Sequence, residues 1–395
     1  MKVLILNNDL RVYWKRRITF LHKYLADNDI SFYAVEIFGK GSPYAFDPYD
    51  NKEDWWSCLF PDHNFSELSK QTIAQKIFDK LNEINPDVII GGSIVFFSGA
   101  IGLRWAKQHK KKFIMFDDGK PSDIKRNKLV QFVKDTLIKQ SDALWLPSAD
   151  YDAEYPYINS KETVFFHGFN CIDNDQFKFT GNKTVDHKNM ICIARLVPIK
   201  NMEGLLRAWK IVEDRGSHYH LNIIGDGPLF KSLTEQMASL NLKTVSLLGS
   251  INNNDLPRYL YNADAFILAS FSESWGLVVN EAMAAGLPLL LSNKINAGHA
   301  LLHEGVNGYS FDPNDIEDIA NNIIKFIKLT PAAKKSMSNN SLKIIDTMSY
   351  DNMGKQLLAA LKTLQGRPFK KTGFMAQGII KLWNGNYNTS GWDKL

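Results

Sequence analysis

Two doubly wound α/β domains are what this chain predicts. Three features carry that reading: a length of 395 residues, a set of short apolar runs, and their alternation with stretches of helical length. One hydrophobic core rarely grows to such a size, so two are expected. An apolar fraction of 45% is enough to fill both. The runs Lys2-Val-Leu-Ile-Leu6, Asp87-Val-Ile-Ile90, Lys112-Phe-Ile-Met-Phe116 and Ala143-Leu-Trp-Leu146 read as short buried strands. Strand and helix alternate throughout, which implies a parallel sheet in each half with helices on both faces. The expected boundaries are a first domain over residues 1–170, a polar linker over 171–188 and a second domain over 189–350.

The richest segment is Ser270-Phe-Ser-Glu-Ser-Trp-Gly-Leu-Val-Val-Asn-Glu281-Ala-Met-Ala-Ala-Gly286. Ala265-Phe-Ile-Leu268 before it reads as a buried strand, and residues 276–285 read as a helix. Glu273 then stands at a strand-to-helix junction, where unpaired N–H groups carry partial positive charge and can hold phosphate or sugar oxygens. Glu281 would point about 80° from Glu273 if the helix were extrapolated backwards. A first-turn Glu also serves simply to satisfy the helix dipole, and a helical Glu is ordinarily solvated. The apolar neighbours of Glu281, Leu277-Val-Val279 and Ala282-Met-Ala-Ala285, argue that this carboxylate needs partners.

Upstream, Ile191-Cys-Ile-Ala-Arg195-Leu-Val-Pro-Ile-Lys200 places two cations after a strand. Arg forks onto phosphate oxygens and Lys acts as a point charge, so the pair suits a diphosphate leaving group whose charge grows in the transition state. The bland alternative is two surface charges in a loop. Gly225-Asp-Gly-Pro-Leu-Phe230 lacks the third glycine of a dinucleotide loop and is read as a tight turn, not an NAD site.

Several of these motifs in order resemble the family-four retaining glycosyltransferases of the GT-B fold. Glu273 to Glu281 with Ala-Met-Ala-Ala-Gly286 looks like that family's paired-glutamate signature. Arg195-x4-Lys200, Gly225-Asp-Gly-Pro228, Val245-Ser-Leu-Leu-Gly249, Tyr259-Leu-Tyr-Asn-Ala-Asp264 and Glu304-Gly-Val-Asn-Gly308 complete the likeness over roughly residues 189–330. The resemblance implies two Rossmann-like domains whose parallel sheets face one interdomain cleft, with final helices over 351–395 crossing back to the first domain. It implies a metal-independent hexosyltransferase that retains configuration and needs no cofactor, its donor a UDP- or GDP-sugar and its acceptor a glycan or lipid-linked saccharide. In that picture Glu273 steadies positive charge at the anomeric carbon. Arg195, Lys200 and the backbone of Ser274, Trp275, Gly276 and Leu277 hold the diphosphate and sugar, while Glu281 takes the ribose hydroxyls. A sugar-nucleotide epimerase or hydrolase, and a non-catalytic nucleotide-sugar scaffold, are the competing readings.

The first half departs from the family. Asn7-Asn-Asp-Leu-Arg11 lacks a Gly-rich loop, and Asp117-Asp118-Gly-Lys-Pro121 stands where many relatives have a His. Asp118 could orient an acceptor hydroxyl or take its proton, although adjacent Asp before Gly and Pro also make an ordinary turn. Asp123, Lys125, Arg126 and Lys128 read as the start of a solvated helix. The aromatic stretch 39–66, with Tyr44, Phe46, Tyr49, Trp55, Trp56 and Phe60, reads as an irregular insertion, either an acceptor loop or a satellite cluster.

A formal charge of +5 does not suggest a nucleic-acid partner. Lys15-Arg-Arg17, Lys107 and Lys110-Lys-Lys112 could face anionic headgroups or water. The tail from Phe369 to Trp383 could lie in a membrane interface or dock on the first domain. With no spanning segment, no apolar leader and three cysteines, the expectation is a cytoplasmic protein that can touch the inner face of the membrane peripherally.

Overall fold

The computed structural model describes residues 1–11, 13–40, 53–123, 127–178 and 187–385. The described residues divide into two compact units, residues 1–169 with 350–385, and residues 170–349. Unit 1 holds β1 (Lys2–Asn7), β2 (Ser31–Phe38), β3 (Trp56–Phe60), β4 (Val88–Gly91), β5 (Lys112–Phe116), β6 (Ala143–Leu146) and β7 (Val164–His167). They form one parallel sheet in the order β3-β2-β1-β4-β5-β6-β7. Unit 2 holds β8 (Asn189–Ile193), β9 (His220–Ile224), β10 (Val245–Leu247), β11 (Ala265–Leu268), β12 (Leu289–Ser292) and β13 (Gly308–Phe311), again all parallel, ordered β10-β9-β8-β11-β12-β13.

Both sheets are doubly wound, as the alternation of runs predicts. β4, β6, β11 and β12 are buried at every position, which is why they read as continuous apolar runs instead of alternating ones. In each unit the first strand lies beside the fourth, so the chain leaves these two neighbours towards opposite sides of the sheet. The crevice at their carboxyl ends is where such sheets bind ligands.

Several local expectations change. Trp56–Phe60, read as part of an irregular insertion, is strand β3, because it can pair in parallel with the edge of β2. Tyr44, Phe46 and Tyr49, like Lys125 and Arg126, lie outside the described residues. Lys107 does not face water or lipid: its amine is buried 3.7 Å from Asp142, whose carboxylate also accepts from the Phe113 amide. Arg17 is likewise buried, at 2% exposure. Within residues 171–188, Asn174–Phe177 is a helical turn with Phe177 buried, and Asn174 Nδ2 donates to the Ile345 carbonyl.

The tail is fastened to unit 1. Helix Phe374–Leu382 buries Ala376 and Ile380, while Arg104 donates to the carbonyls of Ile380 and Trp383. The Trp383 indole donates to Ile94 O at 2.7 Å.

The loop after β1 is held by charge, not by glycine. Glu36, fully buried on β2, accepts from the Leu10 amide at 2.7 Å. Arg11 ties Asp9 to the carbonyls of Phe38 and Gly39. Burial pushes the Glu36 carboxyl from 4.5 up to about 7, against the Leu10 hydrogen bond and the Arg11 charge, with Asp9 adding to the rise. The same enclosure pushes the neighbouring Cys58 thiol up to about 12. A raised acid favours the folded state while protonated, so its contribution is complete below about pH 4.5 and is lost as pH rises through about 7. Across that window unit 1 should lose roughly 3 kcal/mol of stability. Denaturant melts at pH 5 and pH 8 should show this slope in the parent chain and a much smaller one in Glu36→Gln.

Candidate functional site

The site grows from the β8/β11 neighbourhood of unit 2. Arg195 leaves the carboxyl end of β8, and Glu273 follows the carboxyl end of β11. Two glycines shape the first loop. A Cβ on Gly225, whose φ is +145°, would stand 1.8 Å from the Ala194 carbonyl oxygen, and one on Gly227 would stand 2.6 Å from Leu196 O. The turn packs backbone to backbone, closed by Leu196 N–H donating to Asp226 O at 2.9 Å. Gly225-Asp-Gly227 thus supports the Arg195 loop, in keeping with its reading as a tight turn.

Next comes a 3-10 turn, Pro198–Lys200, ended by Asn201 in the left-handed conformation at φ 54°. Asn201 is buried, and its amide donates to Pro313 O at 2.8 Å. Gly204 leaves room for that side chain, since a Cβ there would meet Asn201 Oδ1 at 2.3 Å. Phe271 N–H donates to Ile199 O at 2.8 Å and draws the loop after β11 against this turn. Lys200 and Glu273 meet as a result: the Lys200 amine is ion-paired with Glu273 Oε1, which also accepts from Ser270 Oγ at 2.9 Å. Both side chains are only partly exposed, 20% for Lys200 and 13% for Glu273.

Glu273 is not part of a helix. It forms a bridge with Ile295, its N–H donating to Lys294 O and its carbonyl accepting from Asn296. Gly276, at φ 94°, makes the sharp entry into helix Leu277–Ala284, so the backward extrapolation to Glu273 does not hold. The N–H groups of Gly276, Leu277 and Val278 make no hydrogen bond among the described residues. Trp275 is a core residue, its indole donating to Asn280 Oδ1 at 2.9 Å while Asn280 donates to Asn170 O. Glu281 is also buried, at 6% exposure. Arg195 is exposed, and its guanidinium makes no hydrogen bond or ion pair among the described residues.

This brings Lys200, Glu273 and the amides of residues 276–278 together around the ends of two adjacent strands. Sequence reasoning missed Ser270, Asn201 and the 294–296 loop as the parts that hold them. Asn201 had a weak signal, an Asn directly before a helix. The mutual pairing of Lys200 and Glu273 had none.

Asp118 belongs to unit 1, after the carboxyl end of β5, and is exposed. Asp117 Oδ1 accepts from the Gly119 amide at 3.1 Å, the bond of an ordinary Asp turn, and Tyr151 OH donates to Asp118 O. Crowding by protein around the carboxyl, with the adjacent Asp117 charge, raises Asp118 to about 6. Nearby Lys120 pairs with Asp150 at 2.7 Å. Among the described residues no three His, Cys, Asp or Glu side chains group as metal ligands. The sequence contains Asp27-Asn-Asp29, Asp150-Tyr-Asp152 and Asp173-Asn-Asp175, and side chains engage Asp150 (Lys120), Asp152 (His167) and Asp175 (Lys178).

The chain has relatives in both sequence and structure. Residues 173–343 match the family model "Glycosyl transferases group 1". N-acetyl-alpha-D-glucosaminyl L-malate synthase of Bacillus anthracis is 28% identical over 207 residues, 52% of this chain and 51% of that protein. O-antigen chain mannosyltransferase B of Escherichia coli is 28% identical over 176 residues, 44% of this chain and 45% of that protein. The chain thus spans about half the length of the curated relatives it matches. Sucrose-phosphate synthase of Thermosynechococcus elongatus superposes with a TM-score of 0.71 at 15% identity, covering 92% of this chain and 99% of that one. Anabaena HepE, solved with UDP, gives 0.71 at 17% identity, covering 92% and 100%.

An Ala at position 225 should cost unit 2 on the order of 2–4 kcal/mol, because its Cβ meets backbone that cannot swing aside. Chemical denaturation of Gly225→Ala checks this, and a parent-like midpoint would refute the close approach. With a group 1 model matching residues 173–343 and two parallel-sheet units folded like solved glycosyltransferases, the chain carries a glycosyltransferase group 1 domain on the GT-B fold.

Proposed function

We propose that the chain is a family-four retaining glycosyltransferase that moves a hexose from a UDP- or GDP-sugar to a hydroxyl of a glycan or lipid-linked saccharide. The observation that carries this reading is the Lys200–Glu273 pair at the β8/β11 crevice, with the Arg195 guanidinium, unpaired among the described residues, on the adjoining loop. Arg195 and Lys200 take the diphosphate, whose negative charge grows as the glycosidic bond breaks. The free amides of residues 276–278 add fixed dipoles aimed at phosphate or sugar oxygens.

In the ligand-free pair, Lys200 and Glu273 neutralise each other. Donor binding would insert between them, phosphate towards the amine and the sugar's anomeric carbon towards the carboxylate. Glu273 then faces the positive charge that develops on that carbon, and Ser270 keeps it oriented. Glu281 holds the ribose hydroxyls. Retention follows if the departing phosphate oxygen accepts the acceptor's proton on the same face, a route that needs no metal. Asp118, on the other unit, is proposed to orient the acceptor hydroxyl. The group 1 match and relatives named as mannosyl- and galactosyltransferases support the reaction class.

Thermal stabilisation by a panel of UDP-, GDP-, ADP- and CMP-sugars tests the donor site, because a ligand of the folded state must raise its stability. One sugar nucleotide should shift the melt, and Arg195→Ala should abolish the shift. No shift at millimolar concentration with any donor would sink the assignment. Lys200→Ala should lower turnover on the order of a hundredfold. Glu281→Ala should weaken donor binding on the order of tenfold, and unchanged affinity in the folded variant would remove its ribose role. Product analysis without acceptor separates a transferase, which leaves the donor largely intact, from an epimerase or hydrolase.

A further inference from the structure

The amides of residues 276–278 stand where helix Leu277–Ala284 begins, and the chain enters that helix through Gly276 at φ 94°. A glycine allows many entry angles, so other contacts must select one. Before the glycine the selection is made by backbone. Glu273 N–H donates to Lys294 O, and Trp275 O accepts from the Ala297 amide at 3.2 Å. After it, the first backbone bond is Val279 N–H to Gly276 O at 2.9 Å, which lies within the turn itself. Among the described residues no hydrogen bond holds the three amides from outside the helix.

One side-chain bond does span the glycine. Trp275 precedes the capping residue and Asn280 is the fourth residue of the helix. These are the two positions that a hydrophobic staple joins by apolar contact, and such a staple fixes the angle at which the chain enters a helix. Here they are joined by a hydrogen bond, from the Trp275 indole to Asn280 Oδ1 at 2.9 Å. Asn280 Nδ2 then donates to Asn170 O, also at 2.9 Å, where the chain enters unit 2.

The choice of Asn at this position is informative. Asn280 is wholly buried, as are Val279, Ala282 and Met283 around it. An apolar side chain would fill such a place at lower desolvation cost. An indole N–H can only donate and a carbonyl can only accept, so a group between them must accept at one atom and donate at another, which an amide does. Core stability does not call for this arrangement, whereas a directional tie across Gly276 does.

We propose that Asn280 is a positioning residue: through Trp275 it fixes the entry angle of the helix, and with it the direction of the amides of residues 276–278 and of Glu281, and thereby sets affinity for the sugar nucleotide. Direction matters because a hydrogen bond to a phosphate oxygen weakens steeply as the N–H swings off line. The role rests on the donor reading above, since it is the donor that these amides are taken to hold.

The test uses Trp275→Phe, Asn280→Leu and the two combined in the full chain. Each single change leaves a buried polar group without its partner and should lower the denaturation midpoint. The double variant removes indole N–H and amide together, so most of that stability should return. Donor affinity should not return with it. All three variants should bind the UDP- or GDP-sugar that stabilises the parent on the order of tenfold more weakly, because the glycine is left untied. Hydrogen exchange at the Val279 amide should be faster in all three. Parent-like affinity or parent-like Val279 exchange in the double variant overturns the positioning role and leaves the pair a core contact. If no sugar nucleotide stabilises the parent chain, the donor reading falls and this role falls with it. Donor binding by the parent that the double variant leaves unchanged strikes the positioning role alone.

Discussion

The parallel pairing of β8 with β11 is the constraint on which the candidate site depends. Ala265 and Phe266 register with Met190 and Ile191, so two strands far apart in sequence end side by side. The chain goes from β8 to β9 on one side, and from β11 to β12 on the other. That divergence keeps the space above their carboxyl ends free of crossing chain. Lys200 and Glu273, 73 residues apart, can then share one crevice. Other contacts trim this arrangement: the Gly225 approach to Ala194, the Asn201 bond to Pro313 and the Phe271 bond to Ile199 each bring a loop into line.

Charge is handled in two different ways in this protein. Asp142 is buried with Lys107 beside it and a backbone amide bonded to it, and Glu36 is buried with Arg11 and the Leu10 amide. These groups are enclosed and hold backbone segments; leaving one unpartnered would be costly. At the β8/β11 crevice, Lys200 and Glu273 keep access to water, and Arg195 is exposed without a partner among the described residues. A charge that is affordable only because solvent reaches it can be handed to a ligand. That difference in enclosure separates the proposed binding groups from the structural ones more clearly than residue type does.

Lysine-rich runs illustrate the same point. Lys107 and Lys112 belong to runs that resemble a basic surface, yet both lie against Asp142.

The sequence by itself determined the class of fold and singled out the segment around Glu273 as the candidate site. Runs such as Lys112–Phe116 and Ala265–Leu268 are apolar throughout because both faces of a parallel strand are covered, and that pattern is local and readable. Arg195, Lys200, Glu273 and Glu281 could be singled out because their positions relative to strand ends and helix starts are also local. Trp56–Phe60 was not legible as a strand, since its conformation depends on β2 alongside it. Neither was the ion pair of Lys200 with Glu273, nor the roles of Ser270, Asn201 and the 294–296 loop in holding it. Strand order decided those contacts. Order is a property of how separated segments pack, and periodicity along the chain carries no record of it.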